Sequence, residues 1–181
     1  TIPCSCQIIG TSVPSLIPNS SFETMACTPT SPSQVNCAQS WIQATNATSD
    51  YFNTSYNFQA AIDGGLVPPP DGTGYIGTVF SSGWQEYVGA CLTSPMVAGT
   101  SYTLSINIAS GFINGSGGTV SFFSPPPTPI IIYANSNCSA LPVSTFNCPD
   151  GINGWYVLAS AITSGTTGWQ TISFTFTPTS N

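Results

Sequence analysis

Tyr102–Ala109 (YTLSINIA) alternates without a break: Tyr102, Leu104, Ile106 and Ile108 fall on one side of an extended chain, Thr103, Ser105 and Asn107 on the other. Successive side chains of a strand point to opposite faces, so this period of two predicts a strand with one apolar and one polar face. Gln170–Thr177 (QTISFTFT) repeats the pattern with Ile172, Phe174 and Phe176. Working outward, Thr119–Phe123, Ile130–Ala134, Tyr156–Ile162 and Gln85–Leu92 also read as strands. Pro125–Pro127 separates two of them, because consecutive prolines cannot donate to a ladder. Gly64-Gly65, Gly115–Gly118 and Gly165–Gly168 punctuate the rest. No stretch combines helical periodicity with capping residues. The chain is therefore expected to be all-β, an antiparallel β-sandwich or barrel.

Two segments depart from the strand pattern. Thr1–Pro18 contains three prolines and no acid. It reads either as a first strand and its approach, or as an extended N-terminal arm that pairs with the sheet edge of a neighbouring subunit. The remaining residues, 19–181, form one domain by length. Within it, residues 26–75 are rich in loop formers and carry Trp41, Tyr51, Phe52, Tyr56 and Phe58. A loop-rich insertion with so many aromatics is expected to cover one end of the sandwich or to form a binding surface.

The chain of 181 residues has no lysine, arginine or histidine; an ordinary chain of this length has about 20 Lys and Arg. Without basic side chains there is no patch to neutralise phosphates, so nucleic acid is not an expected partner. Without imidazole there is no Ser/His or Cys/His pair and no histidine metal site. The acids are Glu23, Asp50, Asp63, Asp71, Glu86 and Asp150, giving a net charge of −6 on a surface otherwise composed of Ser, Thr, Asn, Gln and Gly. Surfaces of low charge density self-associate readily. The 41% hydrophobic content suffices for a core, and apolar runs such as Ile130–Ile132 with Tyr133 and Ala134 are far too short for membrane insertion.

Seven cysteines with no C-x-x-C spacing favour disulfides over a thiolate metal site. Cys27 and Cys37 flank one Pro-containing loop and Cys138 and Cys148 another, so each pair is a local bridge expected on proximity. Cys4, Cys6 and Cys91 remain, and one of them is left free, either as a buried thiol or as a link to another molecule. Disulfides place the chain in an oxidising compartment. Thr1 follows no basic and apolar leader and reads as the start of a processed, exported form. Asn19, Asn46, Asn53, Asn114 and Asn137 head glycosylation sequons.

Several short motifs occur in a familiar order. Leu16–Glu23 (LIPNSSFE), Trp41, Gly74–Gly77 (GYIG), Trp84–Val88 (WQEYV), Leu92–Pro95 (LTSP), Val97–Leu104 (VAGTSYTL) and Gly168–Pro178 (GWQTISFTFTP) together resemble galactose-binding-like jelly rolls, the fold of many carbohydrate-binding modules. Cys27–Gln34 (CTPTSPSQ) and Asp50–Asn53 (DYFN) extend the resemblance to modules of secreted cell-surface proteins of Bacteroidetes. The resemblance implies a jelly-roll sandwich with Leu16–Glu23 as its first strand, and a cell-surface location. It also implies a structural calcium with Glu23 among its ligands and Asp150 or Glu86 close by. Glu86 has an alternative as a partly buried acid held by N–H donors, since the chain offers it no cation. Trp41, Tyr51 and Tyr56 are candidate sugar-binding aromatics, with core packing as the competing role of each tryptophan. No catalytic motif surrounds any pair of acids, and no enzymatic activity is expected. The expected function is a non-enzymatic extracellular structural or adhesive subunit that assembles with copies of itself into a filament or layer. The alternative is a carbohydrate-binding module that recognises surface glycans.

Overall fold

A computed structural model describes residues 14–56, 68–81, 83–109, 112–114, 119–121, 127–164 and 168–180. The chain is almost all β. Among the described residues, twelve short strands run in order: β1 (Trp41–Gln43), β2 (Asp50–Asn53), β3 (Gly74–Gly77), β4 (Phe80–Ser81), β5 (Trp84–Gln85), β6 (Val88–Ala90), β7 (Tyr102–Ile108), β8 (Phe112–Asn114), β9 (Thr119–Ser121), β10 (Pro129–Ala134), β11 (Tyr156–Ile162) and β12 (Gln170–Phe176). They form antiparallel pairs: β1 with β6, β2 with β3, β4 with β5, β7 with β12, β8 with β9, and β10 with β11. Two 3-10 turns, Val35–Cys37 and Cys138–Ala140, are the helical elements among the described residues.

The two alternating stretches meet each other. In the β7/β12 ladder, Leu104 opposes Phe174, Ile106 opposes Ile172 and Tyr102 opposes Phe176. The polar face pairs in the same register: the Ser105 and Ser173 hydroxyls lie 2.9 Å apart, and the Thr171 hydroxyl donates to Asn107 Oδ1 at 2.7 Å. Cross-strand pairs of this kind fix the register, since a one-residue slip turns every apolar side chain to the wrong face. The strand expected over Gln85–Leu92 is broken at Glu86–Tyr87 into β5 and β6. There Glu86 N–H donates to the Val79 carbonyl at 3.1 Å, and Val79 N–H donates back to Glu86 Oε2 at 2.8 Å, which pulls the chain out of line.

Three expectations are corrected. Leu16–Glu23 is a turn, not a strand. Asn19 and Phe22 have positive φ (47° and 61°), and the Asn19 amide closes the turn by donating to the Thr24 and Gln39 carbonyls while its Oδ1 accepts from Thr24 N–H. Asn tolerates the left-handed region because its short polar side chain bonds locally. Residues 26–75 are not an insertion laid over a core but hold most of the buried apolar side chains among the described residues. Val35, Cys37, Ala38, Ala44, Ala47, Tyr51, Phe52 and Tyr75 are all buried, whereas Leu104, Ile106 and Ile108 on β7 are only half-buried. Finally, Cys138 does not pair with Cys148. Cys27 bonds to Cys37 as expected, but Cys138 bonds to Cys91 across 47 residues, leaving Cys148 free. The β1/β6 pairing carries the chain to Cys91 just beyond Ala90, and the 3-10 turn opens on Cys138, so topology rather than chain proximity selects this pair. Cys4, Cys6 and Thr1–Val13 lie outside the described residues, as does Phe58. The two disulfides indicate an oxidising environment. No helix among the described residues is long and apolar enough to cross a membrane.

Candidate functional site

Glu23 projects from the Asn19 turn to a loop brought beside it by the β2/β3 pair. Its Oε1 accepts from Thr73 N–H (2.8 Å) and Gly74 N–H (2.6 Å), and its Oε2 from the Thr73 hydroxyl (3.0 Å). Partial burial pushes its carboxyl up, but the Gly74 and Thr73 donors outweigh that and leave it below the ordinary value. Gly72 has φ +65°, and a Cβ there would collide with the Glu23 carboxylate. The loop is thus shaped around the acid.

These donors do not fit calcium. A cation of that kind takes six to eight oxygens, but here N–H and O–H groups point at Glu23. Asp150 sits elsewhere, where its charge acts on Tyr133, and among the described residues no three Asp, Glu, Cys or His side chains gather. Glu23 is a clamp for the 72–74 loop, and the calcium set of Glu23 and Asp150 expected from the resemblance is not formed.

Two of the three aromatic candidates are part of the packing. Tyr51 is fully buried and donates through its hydroxyl to the Phe22 carbonyl at 2.8 Å, so it is withdrawn from any ligand face. Trp41 is half-buried, packs on Phe22 with ring centroids 4.8 Å apart, and spends its N–H on the Asn19 carbonyl. Tyr56 is exposed at the end of the β2 turn.

A different aromatic group reaches the surface. Trp84 (37% exposed) and Phe146 (42%) lie with ring centroids 5.1 Å apart, tilted by 32°. The Gln85 N–H, donating to the Phe146 carbonyl, holds the two segments together. Phe80, 58% exposed, packs edge-on against Tyr87, which packs in turn on Tyr133. Beneath them the Trp84 indole N–H donates to Glu86 Oε1 at 3.1 Å. The position of Trp84 in W-Q-E-Y-V was visible in sequence. Phe146 comes from a loop some 60 residues away and left no local signal.

Glu86 itself is the hydrogen-bonded acid that its context suggested. It is 4% exposed and accepts from Val79, Trp84 and, at 3.4 Å, the Thr48 hydroxyl. Burial raises its carboxyl above the ordinary range, the hydrogen bonds oppose this, and the charge of Asp50 adds to the rise. Asp50 is raised as well, by burial, although Ser33 N–H donates to its Oδ1. The chain has no lysine, arginine or histidine to offset the charge that either acid places on the other.

The sign of the resulting pH effect is definite. A carboxyl whose folded pKa is raised contributes stability below its unfolded pKa and loses it as pH rises through the folded value. Asp50→Asn keeps an oxygen for Ser33 N–H and removes the charge. We expect no gain in melting temperature near pH 4 and a gain of about 2 °C at pH 7. Thermal melts of both proteins across that range would refute this if the difference did not grow with pH.

Next to this patch, Cys148 Sγ lies 3.1 Å from the Tyr87 hydroxyl and 3.3 Å from Gln85 Oε1. Burial, then the neighbouring Cys148, pushes the Tyr133 phenol up to about 12, and Tyr87 is raised for the same reasons. Of the sequon asparagines, Asn53 is buried and Asn19 is occupied in its turn, while Asn46 and Asn137 are exposed.

No known protein family matches this chain, and neither a curated protein nor a solved structure is similar to it.

Proposed function

We propose that this chain is a secreted, non-enzymatic β-sandwich of jelly-roll type that serves as a structural or adhesive subunit and assembles with copies of itself at a cell surface. One observation carries the proposal. Two of the longer strands, β7 and β10, leave their apolar faces half-buried along a cleft of about 2280 Å³, in a protein whose exterior bears no cation and few anions. Apolar strands at unpaired edges are joined by neighbours unless charge keeps them apart. The acids fit a non-catalytic role, since Glu23 and Glu86 are both engaged by internal donors. Negative-stain microscopy of the purified protein should show polymers, and a monodisperse monomer would refute the reading.

A second reading rests on the exposed Trp84, Phe146 and Phe80. Tilted aromatic rings beside Gln and Asn side chains offer the apolar face and polar rim that sugar recognition uses. A monomer that binds a glycan array, and loses that binding in Trp84→Ala, would favour a carbohydrate-binding module instead.

A further inference from the structure

The cleft has a volume of about 2280 Å³, above the upper range of about 1,000 Å³ for small-ligand pockets. Leu104 and Ile106 of β7, Ile131 of β10 and Val88 of β6 line it. Among the described residues, β7 is hydrogen-bonded to β12 alone and β10 to β11 alone.

The chain itself contains a segment of the matching kind. Thr1–Ile8 carries apolar residues at every second position, Ile2, Cys4, Cys6 and Ile8, with Thr1, Pro3, Ser5 and Gln7 between them. That is the pattern of a strand with one apolar face. It has no charged side chain, so burying it incurs no ion-desolvation penalty. The described chain begins at the cleft, where Pro14 and Leu16 are part of the lining and Thr93 N–H donates to the Leu16 carbonyl at 2.8 Å. From there Thr1–Val13 reaches about 43 Å when extended, against about 23 Å for β7. Eight residues suffice to lie along β7, and the other five span about 17 Å to an adjacent subunit.

The cysteines agree with this arrangement. Cys148, the free cysteine of the described residues, is half-buried in the lining of the same cleft. The cysteines outside both bridges are this one and Cys4 and Cys6 on the segment.

We infer that Thr1–Val13 of one copy enters the apolar cleft of the next and adds a strand there, linking the subunits head to tail. The inference rests on the self-assembly reading above and names its contact. A head-to-tail contact that does not close on itself yields a filament rather than a ring, and the added strand covers an edge and an apolar face together.

Two full-length variants test it. One carries Cys4→Ser and Cys6→Ser and keeps Cys148; the other carries Cys148→Ser and keeps Cys4 and Cys6. Mixed and treated with oxidised glutathione, which takes two electrons and two protons from the thiol pair and becomes two reduced glutathiones, they should yield a covalent dimer on a non-reducing gel. Chymotryptic mapping should join Cys148 of the first to Cys4 or Cys6 of the second. In parallel, removal of Thr1–Val13 should abolish polymers. Polymers that persist without the segment, or a wild-type chain whose Cys148 links to its own Cys4 or Cys6, overturn the inference and leave the self-assembly reading standing. If the intact protein forms no polymers at all, the self-assembly reading fails, and the inference with it.

Discussion

Replacing Cys91 and Cys138 together by serine is expected to destabilise the protein by about 4 kcal/mol, the chain-entropy value for a loop of 47 residues. The shorter Cys27–Cys37 loop of 10 residues predicts about 2.7 kcal/mol on the same basis. The longer bridge matters more because it limits how far the unfolded chain between Cys91 and Cys138 can spread. That span holds β7 and β10, whose apolar faces are only half-buried and contribute less packing to hold the native state. With total stability in the usual range of about 5–15 kcal/mol, losing the bridge removes a large fraction. Urea denaturation of both double variants would measure it. If the two cost the same, loop entropy is not the controlling factor.

Tyr51→Ala is expected to cost about 3–5 kcal/mol, the range for deleting a fully buried aromatic side chain. Tyr51 sits where three segments meet. Its ring packs in a cluster with Cys37 and Ala38, against which Phe22, Met25 and Trp41 are laid. Its hydroxyl donates to the Phe22 carbonyl and accepts from Asn53 Nδ2 at 3.3 Å. Tyr51→Phe separates the two contributions. It keeps the ring and leaves a carbonyl and an amide short of a partner, at about 1–3 kcal/mol. Equilibrium unfolding of the pair should therefore show alanine as clearly the worse. Near-equal losses would mean that the hydroxyl, not the ring, anchors the Asn19 turn.

What could be read from sequence divides along physical lines. Tyr102–Ile108 and Gln170–Phe176 announced themselves because period-two alternation is a local property of a strand with one buried face. The Leu16–Glu23 turn did not, since Leu, Ile and Phe there suggest a strand while the Asn19 amide, bonding to residues 5 and 20 positions on, imposes the bend. The core between residues 26 and 75 was hidden for a similar reason. Short strands of three or four residues show no period, and their burial comes from partners far along the chain. Of the site, Glu86 was legible because an acid among aromatics without any cation must find N–H donors. Phe146 and the Cys91–Cys138 bond were not, since each depends on a loop being folded back over a long separation.

The Cys91–Cys138 bond also has a mechanical meaning. A pull applied between the two ends of the chain passes from residue 91 to residue 138 through one covalent link, so everything between them stays slack. About 160 Å of contour is thereby withheld from stretching. Under such a pull the domain would yield by lengthening only outside that loop. β7, which lies between the two cysteines, would then keep its shape while the chain outside the loop extends.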